Sequence, residues 1–131
     1  MIVVDASALS AFLLREGGWI ELAGYLANAV APDHVVKEVA TAVWKAARSS
    51  VLTTQESRKA FSLPLRMAGR NLLLEPELKH LDRAFEISVA YGITVYDALY
   101  IALELEKDLP LLTLDREQRR VAEALGVRVK P

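Results

Sequence analysis

The feature that most constrains this chain is an alternation. Short apolar runs recur between longer segments whose apolar residues return every three or four positions. A run such as Ile2-Val3-Val4 has no polar alternation and reads as a strand buried on both faces, whereas a period near 3.6 residues reads as an amphipathic helix. Strand-like runs fall at Ile2-Val3-Val4 and at residues 71–74, 111–114 and 127–129, with a weaker one at 29–31. Helical patterns fill the gaps. One covers residues 6–15 and stops at Gly17-Gly18; another covers 33–49 on the stripe Val35, Val36, Val39, Val43. Thr53-x-x-Glu56 is a capping box opening a helix that Pro64 should kink. Pro76 and Gly92 bracket a further helix, Thr94 caps one running to about Lys107, and the last spans 116–125 before Gly126. Strands alternating with helices require crossover connections, so the expected fold is α/β, a mostly parallel, doubly wound sheet covered on both faces.

At 131 residues, without repeat or linker, the chain reads as one domain over 1–131. The absence of cysteine excludes thiolate chemistry, iron–sulfur clusters and zinc knuckles, and two histidines exclude a histidine-rich metal site. The longest uncharged stretch, residues 22–32, is too short to span a bilayer, and no basic segment opens the chain; no membrane association and a cytoplasmic location are expected. The hydrophobic share of 53% then points to a subunit or partner interface.

Folds of this class place their sites at the carboxyl ends of strands. Two strand-like runs end there in aspartate, Val3-Val4-Asp5 and Leu112-Thr113-Leu114-Asp115; if the strands are neighbours, the two carboxylates come close together. Asp97 is the only charge in the apolar first half of its helix. Glu38 stands beside an apolar stripe with no Lys or Arg three or four residues away. Taken singly, Asp5, Asp97 and Asp115 each read as helix caps, and Glu38 as a half-exposed surface acid. Taken together they need a counter-charge, because two carboxylates about 5 Å apart repel by roughly 3 kcal/mol at an effective dielectric near 20. Lysine or arginine, a raised pKa or a divalent cation could supply it. Oxygen-only donors suit Mg²⁺ or Mn²⁺, and the chemistry best served is metal-assisted attack of water on a phosphodiester.

At these residues the sequence resembles a PIN domain, most of all the compact VapC toxin branch. The matching stretches are Ile2-Val3-Val4-Asp5-Ala6-Ser7, Glu38-Val39-Ala40-Thr41-Ala42-Val43-Trp44-Lys45, Gly92-Ile93-Thr94-Val95-Tyr96-Asp97-Ala98 and Leu111-Leu112-Thr113-Leu114-Asp115-Arg116. The resemblance implies a three-layer α/β/α sandwich around a parallel sheet of about five strands, a Mg²⁺- or Mn²⁺-dependent ribonuclease, a homodimer, and a small VapB-like antitoxin that covers the acidic pocket. Carried over by position, Asp5, Glu38, Asp97 and Asp115 are the catalytic acids. Asp5, Asp97 and Asp115 hold metal, Glu38 positions a second ion or orients the water, and Ser7 and Thr113 support them. Thr41 departs from the asparagine that many relatives carry.

RNA needs positive residues as well. Removing the four acids from a net charge of −1 leaves +3 for the remainder, with Lys45, Arg48, Arg66 and Arg70 as the candidate contacts and Tyr96 and Trp44 as possible stacking rings. Other acid-based classes fit less well. A haloacid-dehalogenase-type phosphatase needs aspartate where Ser7 stands, and a receiver domain needs paired acids near Asp5; no G-x-G-x-x-G or P-loop is present. The remaining alternative is a catalytically weak or inactive PIN-like dimeric RNA-binding or regulatory module.

Overall fold

The computed structural model describes residues 1–131. Five strands, β1 (Ile2–Val4), β2 (Ala29–Pro32), β3 (Leu72–Glu75), β4 (Leu111–Leu112) and β5 (Val129–Lys130), form one sheet. Seven helices accompany it: α1 (Ala6–Leu13), α2 (Trp19–Tyr25), α3 (Val35–Arg48), α4 (Thr54–Met67), α5 (Leu81–Tyr91), α6 (Val95–Lys107) and α7 (Arg116–Ala124). The strand order is β3-β2-β1-β4-β5 and every pairing is parallel. The chain steps from β1 to β2 to β3 in one direction, then crosses back to β4 and on to β5. Right-handed crossovers therefore set α1–α4 on one face and α5–α7 on the other. The helices pack in those two groups, α1 against α2, α3 and α4, and α6 against α5 and α7. This is the expected three-layer α/β/α architecture.

Both central strands β1 and β2 are buried along their whole length, which is why their sequences show no polar alternation. Residues 98–104 of α6 are all buried, as befits a helix that is apolar all round and crosses the middle of the sheet. No single helix is long and apolar enough to cross a membrane.

Local chemistry moves several expected boundaries. Gly17-Gly18 does stop α1, but Gly18, with φ of 83°, also serves as the N-cap of α2, a helix absent from the sequence-based expectation. Pro76 opens only a short 3₁₀ turn (Glu77–Lys79); α5 begins afresh at Leu81. Pro64 sits inside α4, which continues to Met67, so the proline removes one rung without ending the helix. At the end of α7, Val127 still donates its N–H to the carbonyl of Ala122, so β5 starts two residues later than the apolar pattern predicts.

The core holds one carboxyl far along α6 from its N-terminus. Glu104 is 2% exposed and its Oε2 has no hydrogen-bond partner. Burial pushes its pKa up to about 8, opposed by a weaker pull from Arg128. The folded chain keeps this proton where an unfolded chain has lost it, so stability falls as pH rises from near 4.5 through about 8. Glu104→Gln is expected to flatten the decline in melting temperature above about pH 6, measured by thermal denaturation without metal. An unchanged slope would assign the decline to other groups.

Candidate active site

The direction of strand addition reverses between β1 and β4, and in open parallel sheets the crevice lies beyond the carboxyl ends at that point. Asp5 follows β1 directly and is 2% exposed. It is the N-cap of α1, accepting the N–H of Ala8 at 3.0 Å. The Ser7 hydroxyl donates to its Oδ1 at 2.7 Å, and the Thr113 hydroxyl donates to its Oδ2. Ser7 and Thr113, 3.3 Å apart, are thus both assembled around Asp5.

The expected juxtaposition of two strand-ending aspartates is corrected in register. The β1–β4 ladder pairs Val3 with Leu111 and Val4 with Leu112, so the next residue opposite Asp5 is Thr113, not an acid. β4 ends at Leu112 as the N–H of Leu114, next in line to donate to β1, goes instead to the Ser7 hydroxyl at 2.9 Å, and the Thr113 hydroxyl accepts the N–H of Asp115 at 3.0 Å, starting the turn into α7. Asp115 is the N-cap of α7, holding the N–H of Gln118 at 2.8 Å.

Asp97 lies in the first turn of α6. Thr94 caps its N–H at 3.2 Å, but no hydrogen bond runs back from the Thr94 N–H to the Asp97 carboxylate, so the capping box that the spacing Thr94-x-x-Asp97 would allow is only half made. Gln118, buried in α7, donates through Nε2 to the Asp97 carbonyl at 3.1 Å and ties the starts of α6 and α7 together. Glu38 lies in the first turn of α3. It is not unpartnered: His34 Nε2 stands 3.1 Å from its Oε1, and the Tyr100 hydroxyl donates to the same oxygen at 2.6 Å.

All four acids therefore sit at helix N-termini, where the unpaired N–H groups and the macrodipole favour negative charge. That compensation is partial. Burial, followed in effect by repulsion from Asp115 and Glu38, raises the Asp97 pKa to about 6. Burial also lifts Asp5 to about 6 despite its three hydrogen bonds, with Asp115 adding a smaller push. For Glu38 burial acts upward too, but hydrogen bonds from His34 and Tyr100 outweigh it, leaving its pKa below the ordinary value. No Lys or Arg forms an ion pair with any of the four.

No three of these side chains close tightly enough around one point to hold an ion unaided. The donor set, all carboxylate oxygen and electrostatically under-compensated, fits a hard cation that keeps several waters and uses only one or two carboxylates alongside phosphate oxygens. The basic candidates are divided. Lys45 lines a shallow groove of about 370 Å³ with Glu38, Thr41, Ala42 and the exposed ring of Tyr96. Arg48 lies a turn further along α3 with its guanidinium 5.7 Å from the exposed Trp44 ring. Arg66 and Arg70 lie apart, at the end of α4 and just before β3, on the amino-terminal side of an edge strand. The Thr41 hydroxyl donates to the Lys37 carbonyl within α3 and reaches none of the acids.

Fold and site together define an α/β protein with carboxylates from four helix N-termini gathered at the switch point of a parallel sheet. The chain belongs to the PIN domain family, whose model matches residues 2–124. It is 33% identical over 137 residues to ribonuclease VapC3 of Pyrobaculum aerophilum, covering 99% of this chain and 98% of that one. It is 34% identical over 131 residues to ribonuclease VapC1 of Mycobacterium tuberculosis, covering 95% and 91%. Among solved structures, PAE2754 of Pyrobaculum aerophilum superposes with a TM-score of 0.73 at 26% identity, covering 98% of this chain and 82% of that one. FitAcB of Neisseria gonorrhoeae gives 0.59 at 16% identity, covering 100% and 97%, and is a likeness of fold. PIN-domain ribonucleases as a class depend on a metal.

Proposed function

We propose that this chain is a Mg²⁺- or Mn²⁺-dependent ribonuclease and the toxin of a toxin–antitoxin pair. The observation that carries the reading is the gathering of four acids at helix N-termini with no basic partner, in a chain one-third identical over its length to ribonucleases of the VapC type. Asp5, Asp97 and Asp115 would hold the ion, with Ser7 and Thr113 fixing the Asp5 carboxylate through their hydroxyl protons. The chemistry such an ion supplies when bound is neutralisation of charge on the phosphate and activation of water. Glu38, kept ionised by its two donors, orients the attacking water. RNA enters along the groove of Lys45 and Tyr96, where a phosphate meets the ammonium and a base meets the ring.

In an assay on single-stranded RNA, cleavage is expected with Mn²⁺ or Mg²⁺ and lost on chelation. Neutralising Lys45 with Arg48 should reduce the salt slope of binding by about 2, whereas neutralising Arg66 with Arg70 leaves it nearly unchanged. The reverse ranking would move the RNA path to the other end of the sheet. The alternative reading is a catalytically weak RNA-binding module. Tight Mn²⁺ binding without RNA turnover would select it.

Partner surfaces follow from exposed apolar groups. Leu78, Leu81, Phe85 and Val89 form one exposed apolar stripe along α5 and the turn before it, a surface of the kind that marks an interaction site. A homodimer through this stripe is the expected state, and a single species of monomer mass in sedimentation at micromolar concentration would exclude it. The second partner is a small VapB-like antitoxin acting in the cytoplasm; finding a short basic reading frame immediately upstream would support it, and finding none would count against a toxin.

A further inference from the structure

His34 contacts the pocket, and its surroundings fix where its proton lies. The ring is 1% exposed and packs against Tyr96 and Tyr100 at centroid distances of 5.9 and 4.8 Å. Its Nε2 stands 3.1 Å from Glu38 Oε1 and 3.1 Å from the Tyr96 carbonyl oxygen. With an ionised Glu38 both neighbours only accept, so Nε2 must carry the hydrogen. Nδ1 is buried with no partner. A second hydrogen there would be a buried donor with nothing to receive it, which favours the neutral Nε2–H ring. The Tyr100 hydroxyl reaches the same Glu38 oxygen, and neither bond touches Oε2.

We propose that His34 and Tyr100 are positioning residues that clamp Oε1 of Glu38 and leave Oε2 to orient the attacking water; this rests on the ribonuclease reading above. The clamp also sets a distance. Tyr96, whose carbonyl accepts the His34 Nε2–H at 3.1 Å, immediately precedes Asp97, so one imidazole ties the start of α3 to the start of α6 and spaces Glu38 from Asp97. Such outer partners orient the groups that do the chemistry.

Tyr100→Phe and His34→Leu are each expected to lower kcat on RNA about 10–100-fold, with KM changed far less, because they act through another group. His34→Gln, whose amide N–H reaches to a similar place, should lose less than His34→Leu. In a Glu38→Gln background Tyr100→Phe should add little further loss, whereas equal losses in both backgrounds would overturn the clamp in favour of a merely structural role. Nitrogen NMR of the wild-type imidazole is expected to show a protonated Nε2 and an unprotonated Nδ1; averaged tautomers would overturn the clamp even if the variants fail to fold. If the wild type cleaves no RNA with any divalent metal, the ribonuclease reading falls, and the catalytic role of the clamp with it, whatever the imidazole shows. Cleavage with additive losses overturns the clamp alone.

Discussion

Asp97→Asn is expected to reduce RNA cleavage on the order of a thousandfold, about 4 kcal/mol of transition-state stabilisation, in a protein that remains folded. The same variant should melt about 2–4 °C higher than the wild type without metal. The two effects have one cause. At neutral pH the Asp97 carboxylate is ionised against its own burial and against Asp115 and Glu38, which hold its pKa up to about 6. Because the group is half-exposed, solvent screening leaves roughly 1 kcal/mol of that penalty as stability. Asparagine removes the charge and keeps the shape. The cap from Thr94 and the bond from Gln118 both engage the Asp97 main chain and survive the change. Metal-dependent cleavage in a standard assay, beside calorimetry of the same preparation, checks both halves; full activity or a lower melting temperature would contradict them. The sign carries over to pH. Asp5 and Asp97 have raised pKa values, so their contribution to the stability of the metal-free protein is full below about 4 and is lost as pH rises through about 6.

Thr113→Val should act in the opposite sense on stability. The substitution conserves volume at a position with no exposure but removes the hydroxyl that donates to Asp5 and accepts from the N–H of Asp115. A buried carboxylate loses a donor and a backbone N–H loses its acceptor. The expected cost is about 2–3 kcal/mol, and the Asp5 pKa should climb further because a hydrogen bond that favoured the ionised form is gone. Cleavage should fall about 10–100-fold through misplacement of Asp5. Thr113→Ser, which restores the hydroxyl, should recover much of both. Chemical denaturation and cleavage rates read the two effects, and a Thr113→Val variant as stable as the wild type would mean that Ser7 and Ala8 alone suffice to hold Asp5.

What could be read from the sequence and what could not divide along the range of the interactions involved. The strand before Asp5, the Thr53–Glu56 capping box and the apolar run of α6 are local patterns, and the structure keeps them. The parallel sheet follows from strand–helix alternation, and the position of the pocket follows from the switch in strand order. The register at β4 was out of reach, because the strand ends where the Ser7 hydroxyl takes the Leu114 N–H from the ladder, a side-chain event that hydropathy does not report. The helix α2 was hidden by a glycine pair that ends one helix and begins the next.

Glu38 is the most instructive residue. The i,i+4 spacing from His34 to Glu38 is visible in the sequence, yet only a Lys or Arg there would have been read as a partner. Tyr100 lies 62 residues away and meets Glu38 only once α3 and α6 are packed. Gln118 likewise joins two helix starts 21 residues apart through a main-chain carbonyl. A pocket built from four helix N-termini is assembled by tertiary contacts that local periodicity does not contain. The charge pattern still signalled it, because acids without cationic neighbours had to find compensation somewhere.

A metal-dependent ribonuclease requires cation binding by the acids at the β1–β4 switch point, and anomalous diffraction from crystals soaked in Mn²⁺ tests that binding most directly. A peak is expected in contact with at least one of Asp5, Asp97 and Asp115, directly or through water, with Glu38 within about 10 Å of Asp5 so that a water-bridged ion can connect them. A Mn²⁺ peak found only elsewhere on the molecule, with ordered water and unmoved carboxylates in the pocket, would contradict it.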